Sequence, residues 1–120
     1  MNPDLQDLIA TLRAFAQERD WGQFHAPKNL ACALSVEAAE LLEHFQWLTE
    51  EQSRCLSEDK TQQVAQEAAD VFLYLLQLCD QLNIDLIAAA HRKLVANGIK
   101  YPVATSRGSS LKYNEKQGEN

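Results

Sequence analysis

Two acidic pairs at helical spacing constrain this 120-residue chain more than any other feature. Glu37 and Glu40 stand three positions apart in the run Glu-Ala-Ala-Glu, and Glu67 and Asp70 repeat that arrangement thirty residues later in Glu-Ala-Ala-Asp. Residues three apart are neighbours on the surface of a helix. Carboxylates held about 4–5 Å apart repel by about 3–4 kcal/mol per pair at an effective dielectric of about 20. The fold must therefore turn these groups out into solvent or gather them around cations.

Each pair lies at the edge of the apolar stripe of its helix, not opposite it, when residues are placed at about 100° intervals. If two such helices pack along their stripes, the acidic pairs point toward each other. A single Glu-x-x-Glu would favour a solvated helix face. Two matching pairs on successive helices favour a site that binds cations.

The ligand set of such a site consists only of carboxylate oxygens. That set suits Mg²⁺, with Mn²⁺ as a substitute, whereas zinc prefers histidine or cysteine. A di-iron bundle requires Glu-x-x-His, which neither helix provides. Because magnesium in proteins keeps coordination positions for water and phosphate oxygens, the pattern predicts a phosphorylated ligand.

Helical periodicity recurs along the chain without a convincing alternating pattern, so we predict an all-α fold. The expected helices cover about residues 5–20, 29–48, 57–82 and 86–97. Ser57 and Asp85 are the expected N-caps, and Gly98 is the expected C-terminal stop of the last helix.

The third expected helix is apolar around almost its whole circumference over residues 71–79, so several neighbours must cover it. A four-helix bundle that associates at least as a dimer meets this need. We expect a single helical domain over residues 1–102 and a polar, flexible tail over residues 103–120.

Net charge, apolar runs and cysteine spacing indicate which partners the protein binds and in which compartment it works. The net charge of −6 disfavours a nucleic acid polymer, because that binding depends on Lys and Arg neutralising phosphates. No apolar run approaches the length of a membrane span, and the N-terminus does not resemble a signal peptide. Three cysteines without a Cys-x-x-Cys spacing are expected to be reduced and mostly buried. These features predict a cytoplasmic protein.

Three aromatic residues could contact a nucleotide, and each has an ordinary structural alternative. Tyr74 lies one turn beyond Asp70 and could reach the ligand or pack in the core. Trp21 and Trp47, at helix ends, could stack on a nucleobase or belong to the core.

Polar residues outside the acidic pairs could also contact the ligand or be ordinary surface residues. Lys93 and Lys100 could meet a phosphate, although a solvated lysine is the default, and His44 is expected at the rim of the site. No serine or cysteine with an adjacent base stands out as a nucleophile. We therefore assign no catalytic residue beyond the carboxylates.

The acidic pattern, Glu-x-x-Glu followed after 26 residues by Glu-x-x-Asp, is similar to the signature of the MazG-like, all-α nucleoside triphosphate pyrophosphohydrolases. Within that family, the chain resembles the small dCTP pyrophosphatase branch from about residue 15 to residue 113. The other segments that carry the resemblance are Glu18-Arg19-Asp20-Trp21 with Phe24-His25, Asn29-Leu30, Phe45-Gln46-Trp47, Asp70-Val71 with Tyr74, and Lys93, Asn97 and Tyr101-Pro102.

The resemblance implies roles for individual residues. The residues that it implies for Mg²⁺ binding are Glu37, Glu40, Glu67 and Asp70. The implied base and sugar pocket consists of Trp21, Gly22, Gln23, Phe24, His25 and Trp47, and Tyr74 lines it. The implied phosphate contacts are Lys93, Asn97 and Tyr101. Because family members form dimers or tetramers built from dimers, the phosphate contacts could cross a subunit boundary. Leu12 stands where some eukaryotic members have histidine, so strict selectivity for cytosine stays open.

The implied reaction is Mg²⁺-dependent hydrolysis of dCTP or a related dNTP to the monophosphate and pyrophosphate, which would remove surplus or modified nucleotides from the pool. Two alternatives remain. One is the same chemistry on dUTP or another nucleotide, and the other is a non-catalytic helical interaction module with solvated acidic pairs. The preferred base, the choice between dimer and tetramer, the number of metal ions, the general base and the role of the tail also remain open.

Overall fold

A computed structural model of the chain describes residues 3–111, and every regular element within that range is helical, which confirms the all-α prediction. No single helix in the described range is both long and apolar enough to cross a membrane. Within that range, the helices Glu58–Gln81 and Leu86–Lys100 reach the length and composition of a membrane span only when they are counted together. The elements in chain order are α1 (Pro3–Glu18), a 3₁₀ helix (Trp21–Phe24), α2 (Pro27–Glu43), α3 (Glu50–Ser53), α4 (Glu58–Gln81), α5 (Leu86–Lys100) and α6 (Val103–Ser106).

The chain divides into two compact units, Met1–Ile84 and Asp85–Asn120. The first unit contains α1 to α4, and the second contains α5 and α6. In the first unit, α2 packs most extensively against α4, and α1 also contacts α4. The two helices that carry the acidic pairs are therefore the principal packed pair of the fold.

Local hydrogen bonds define both ends of α4. The Ser57 side chain accepts a hydrogen bond from the Lys60 amide at 3.1 Å, as the sequence predicted for this N-cap. At the other end, Asn83 adopts a left-handed conformation with φ 55°, and the Ile84 amide donates to the Cys79 carbonyl at 2.8 Å. This is the Schellman arrangement that terminates a helix. The long helix behind the second acidic pair is thus fixed by its own sequence.

The predicted break between the first two helices is confirmed. Asp20 takes a left-handed φ of 52° after α1, a 3₁₀ turn follows, and Pro27 begins α2, where its missing amide hydrogen leaves no bond unmade. The reversal brings Trp21 edge-on to Phe15, with ring centroids 5.6 Å apart, and Arg19 lies 3.6 Å above the centre of the Phe15 ring.

Two predicted helix ends differ from the structure. Helix α2 ends at Glu43 and not near residue 48, and the polar stretch after it contains α3, which begins with a capping box between Thr49 and Gln52. Helix α5 continues through Gly98 to Lys100. Gly98 does not take the positive φ of a terminating glycine. Pro102 provides the stop instead, because proline disfavours helical geometry in the residue before it.

The interior of the described chain is small. Leu30 on α2 and Leu76 on α4 are each 1% exposed, and Cys79 is 7% exposed. Among residues 3–111 these are the only fully buried apolar side chains. The expectation of mostly buried cysteines is wrong, since Cys32 and Cys55 are exposed, although all three thiols are free.

The predicted tail begins inside the described range. Residues 103–106 form the single turn of α6, and residues 107–111 have no regular structure. The remainder of that prediction, residues 112–120, lies outside the described residues.

Candidate metal centre and adjoining cleft

Carboxylates from α2 and α4 converge at one point in the first unit. One oxygen from each of Glu37, Glu67 and Asp70 lies within 4.8 Å of the others. Glu37 and Glu67 are half-buried, and Asp70 is exposed. The acidic pairs therefore face each other across the helix pair and do not diverge into solvent. Three oxygen donors at this separation could hold a hard divalent cation.

Glu40, one turn further along α2, interacts with this cluster but is not among the three residues whose oxygens lie within 4.8 Å of one another. Burial raises the pKa of Glu37 to about 7 from its ordinary 4.5, and hydrogen bonding and repulsion from Glu40 add to the rise. Repulsion from Asp70 and Glu67 contributes further. Without a cation, Glu37 therefore keeps its proton to a higher pH than an ordinary glutamate does.

The pKa of Glu67 is also raised. Burial is again the main cause, followed by repulsion from and hydrogen bonding with Glu40 and by repulsion from Asp70. An electrostatic interaction with His44, at the C-cap of α2, opposes the shift in the pKa of Glu67. The half-buried imidazole thus lies at the edge of the cluster, in the rim position that the sequence suggested.

Two atoms of the cluster are buried without a partner. The Oε2 atoms of Glu37 and Glu67 are inaccessible and accept no hydrogen bond from the described residues. An unsatisfied buried polar group costs about 1–3 kcal/mol, and more when it is charged. A divalent cation would coordinate such oxygens and offset the repulsion between carboxylates. The donor set and the two unpartnered atoms therefore fit an oxygen-coordinated metal ion.

The predicted aromatic contacts lie at the surface of the first unit. Trp21 is 43% exposed, Phe24 is 59% exposed and Trp47 is 87% exposed. Within a single chain, the core alternative therefore does not hold for Trp47. Exposed rings of this kind remain available to a ligand or to another chain.

The remaining predicted pocket residues of the first unit have distinct environments. An added Cβ at Gly22 would meet nothing within 4 Å, so this glycine is not required by close packing. The Gln23 amide donates to the Asp20 carbonyl at 3.0 Å, which stabilises the 3₁₀ turn. His25 and Tyr74 are half-buried.

The predicted phosphate contacts lie in the second unit. Lys93 and Asn97 are one turn apart on α5, and Tyr101 is its C-cap, so all three belong to one face. The Tyr101 amide donates to the Asn97 carbonyl at 2.8 Å. Their role toward phosphate remains a prediction.

The sequence did not predict an ion pair that the structure shows between α1 and α4. Arg13 Nε donates to Asp80 Oδ2 at 2.8 Å, and Arg13 Nη2 donates to Asp80 Oδ1. The hydrogen bond from Arg13 lowers the pKa of Asp80, with a smaller contribution from its charge and opposition from burial. The only sequence signal is that each residue adjoins the apolar stripe of its helix. Nothing in the sequence pairs two residues that are 67 positions apart.

This pair lines a cleft between α1 and α4. The cleft is partly open to solvent and has a cavity volume of about 40 Å³. Leu12, the position at which the sequence departs from some of its relatives, is in the wall, and His25 of the predicted base pocket lines it too. The cleft therefore adjoins part of the predicted nucleotide pocket.

Comparisons with known proteins agree with this architecture. The sequence model of the MazG-like family matches residues 32–115. The chain is similar to dCTP pyrophosphatase 1 of Bos taurus, at 39% identity over 94% of this chain and 68% of the bovine protein, and to that of Mus musculus, at 40% identity with the same coverage. It also resembles the crystal structure of a pyrophosphatase from Archaeoglobus fulgidus, with a TM-score of 0.80 and 42% identity over 85% of this chain and 95% of the archaeal chain.

Proposed function

The chain belongs to the MazG-like family, and from that premise we propose that it hydrolyses dCTP or a closely related dNTP to the monophosphate and pyrophosphate. It is a nucleotide pyrophosphohydrolase, similar to mammalian dCTP pyrophosphatase 1 and to an archaeal pyrophosphatase. The particular substrate and the metal are the proposed part. The role that follows is removal of surplus or altered nucleotides from the cytoplasmic pool.

The observation that carries the proposal is the convergence of Glu37, Glu67 and Asp70 from two packed helices, with two buried oxygens left unpartnered. We assign Glu40, which interacts with both glutamates, as the fourth ligand of the set. An all-oxygen set of this charge suits Mg²⁺, with Mn²⁺ as a substitute. When bound, Mg²⁺ supplies positive charge for the triphosphate and lowers the pKa of water.

The chain's own residues then determine where the substrate reacts. Glu37, Glu40, Glu67 and Asp70 would hold the cation at the α2–α4 junction, where its charge would attract the phosphate end of the substrate. Water adds to the α-phosphorus, the bond from that phosphorus to the bridging oxygen breaks, and pyrophosphate leaves with the electron pair. One proton of the attacking water is released. Orientation and charge stabilisation supply most of the rate in phosphoryl transfer.

The nucleoside end of the substrate is assigned to the aromatic surface of the first unit. Trp21, Phe24 and Trp47 expose ring area on which a base can stack, a contact of about 1–3 kcal/mol. Tyr74 lies one turn beyond Asp70 on α4 and is suited to line the sugar. The assignment of Lys93, Asn97 and Tyr101 to phosphate binding, which the family resemblance implies, is a further part of this proposal.

We also propose a homodimer or a dimer of dimers as the working form. Apolar side chains remain open on the helices that carry the site, with Leu42 60% exposed and Phe72 42% exposed. Phe72 belongs to the all-round apolar segment of α4, which the sequence indicated must be covered on several sides. Association of two chains would bury this surface. Free nucleotides, and not nucleic acid polymers, are the expected partners of a chain with a net charge of −6.

The test is a panel of substrates. Purified protein is incubated with Mg²⁺ and each of dCTP, 5-methyl-dCTP, dUTP, dTTP, dATP and dGTP, and monophosphate and pyrophosphate are measured together. We expect equal amounts of the two products, the highest kcat/KM for dCTP or a 5-substituted relative, and no reaction in EDTA. Release of inorganic phosphate with a diphosphate product would contradict the proposal.

A further inference from the structure

The cleft between α1 and α4 has the composition of a small-molecule site. Ile9, Leu12 and Ala16 supply an apolar wall from α1, and Leu76 supplies the facing apolar surface from α4. Ligand sites are mostly apolar with a few convergent polar groups.

Polar groups around the cleft keep unused hydrogen-bonding capacity. The side chains of His25 and Gln77 line the cleft and make no hydrogen bond to any part of the chain that the structure describes. Arg13 uses two of its five N–H donors on Asp80, which leaves three. Because the bidentate contact fixes the guanidinium plane, those donors have a defined orientation. Such an arrangement suits a planar ligand with a polar edge.

The cleft also lies close enough to the carboxylates along α4 for one nucleotide to reach both. Gln77 is seven residues beyond Asp70, so the two side chains are within about 20° of the same face and about 10 Å apart along the axis. Tyr74 lies between them on that face. A base in the cleft and a phosphate at the carboxylates would be joined by a sugar that passes Tyr74.

We propose that Arg13, Asp80 and Gln77 are specificity-determining residues that select the nucleobase in the α1–α4 cleft. This inference rests on the proposed function and adds residues that neither the acidic motif nor the exposed aromatic residues identify. The Gln77 amide and the free Arg13 donors bind acceptors on the base edge, and Asp80 orients Arg13.

The test compares cleft variants with matched surface variants. Gln77→Ala is paired with Gln62→Ala, on the same helix, and Arg13→Met is paired with Arg54→Met, whose ion pairs are on the exposed α3. The value of kcat/KM is measured for dCTP, dTTP, dATP and dGTP, and for deoxyribose 5′-triphosphate, which has no base.

We expect both cleft variants to lower kcat/KM for the preferred pyrimidine nucleotide by about tenfold, as the loss of a hydrogen bond to the base edge predicts. Turnover of the baseless triphosphate should be unchanged, and the two surface variants should match the wild type on every substrate. An equal loss on the baseless triphosphate, or an unchanged preference among bases, would overturn the inference. If Arg13→Met does not fold, Arg13→Lys keeps the charge but removes the bidentate contact.

Binding of free deoxycytidine without metal tests the cleft independently of hydrolysis. Calorimetry should show weaker binding to Gln77→Ala than to Gln62→Ala, whether or not the protein cleaves triphosphates. Equal binding to the two variants would overturn the assignment of the base to the cleft.

Discussion

The environment of Glu37 indicates what the acidic cluster binds. Its Oε2 atom is buried without a partner, and its pKa is raised to about 7, first by burial and then by Glu40 and the other carboxylates. A residue placed only for stability would gain nothing from this environment. A cation would remove both costs, so this residue has the features expected of a metal ligand.

The pH dependence of stability should follow from Glu37. Because its pKa is higher in the folded chain, the folded state holds a proton that the unfolded state has lost between its ordinary pKa of 4.5 and about 7. This stabilisation is complete below 4.5 and is lost as the pH rises through about 7. We therefore expect the Tm of the metal-free protein to fall across that window.

Addition of Mg²⁺ should raise the Tm most above pH 7, where the carboxylate no longer holds a proton that competes with the metal. Thermal unfolding followed by circular dichroism, in EDTA and in Mg²⁺, from about pH 5 to about pH 8 measures both effects. Glu37→Gln should flatten the metal-free profile. A Mg²⁺ effect that is independent of pH would argue against competition between proton and metal.

Neutral replacements in the cluster should separate activity from folding. Glu40→Gln and Asp70→Asn keep the side-chain volume, but each removes a charge that we assign to metal binding. We expect kcat to fall by more than about 100-fold, since even the residues that support metal ligands cost 10–100-fold. The Tm of each metal-free variant should stay level or rise, because a repulsion is removed.

The matched control for these variants is Glu43→Gln, an exposed carboxylate on the same helix outside the cluster, which should retain full turnover. Initial rates of pyrophosphate release measure the outcome. Normal turnover in a folded Glu40→Gln or Asp70→Asn protein would remove that residue from the metal centre.

At the scale of elements, α4 carries Glu67 and Asp70 of the candidate metal site, and local sequence features define both of its ends. Its Ser57 cap, its acidic first turn and its Asn83 terminus are all specified by nearby residues, so its extent could be predicted well from the sequence. The ends of α2 and α5 were predicted less well. In α5, Gly98 is helical and Pro102 sets the end, because a glycine permits a stop without requiring one.

Removal of the α4 cap should destabilise the first unit. Ser57→Ala deletes the acceptor for the Lys60 amide and should lower the free energy of unfolding by about 1 kcal/mol. Ser53→Ala is the control, since the Ser53 hydroxyl only donates to the Glu50 carbonyl within exposed α3. Urea unfolding compares the two variants, and equal stability would mean that the cap contributes nothing.

At the scale of the whole molecule, exposed apolar surface is the main feature. Only three apolar side chains are fully buried among residues 3–111, while Leu42, Trp47 and Phe72 stay open. The sequence indicated that α4 needs more cover than one short chain provides. The all-α class follows from periodicity, but the number of chains that complete the core depends on surfaces that periodicity does not pair.

The proposed assembly predicts a response to charge at the apolar surface. Leu42→Glu or Phe72→Glu should shift the protein toward monomer, because a buried unpaired carboxylate would oppose association. Light scattering after size-exclusion chromatography measures the mass, and Glu43→Gln, next to Leu42 but not apolar, is the control. A wild-type protein that is monomeric at all accessible concentrations would refute the assembly.

The sequence by itself determined the four long helices, the Ser57 cap of α4 and the spacing of the acidic residues, because helical spacing and capping depend on residues within a few positions of one another. Only the tertiary structure decided that Glu37, Glu67 and Asp70 converge and that Arg13 meets Asp80 across a cleft. Those contacts join residues that are 30 to 67 positions apart in the chain. Their geometry depends on how α1 and α2 dock on α4, and no local pattern encodes that docking.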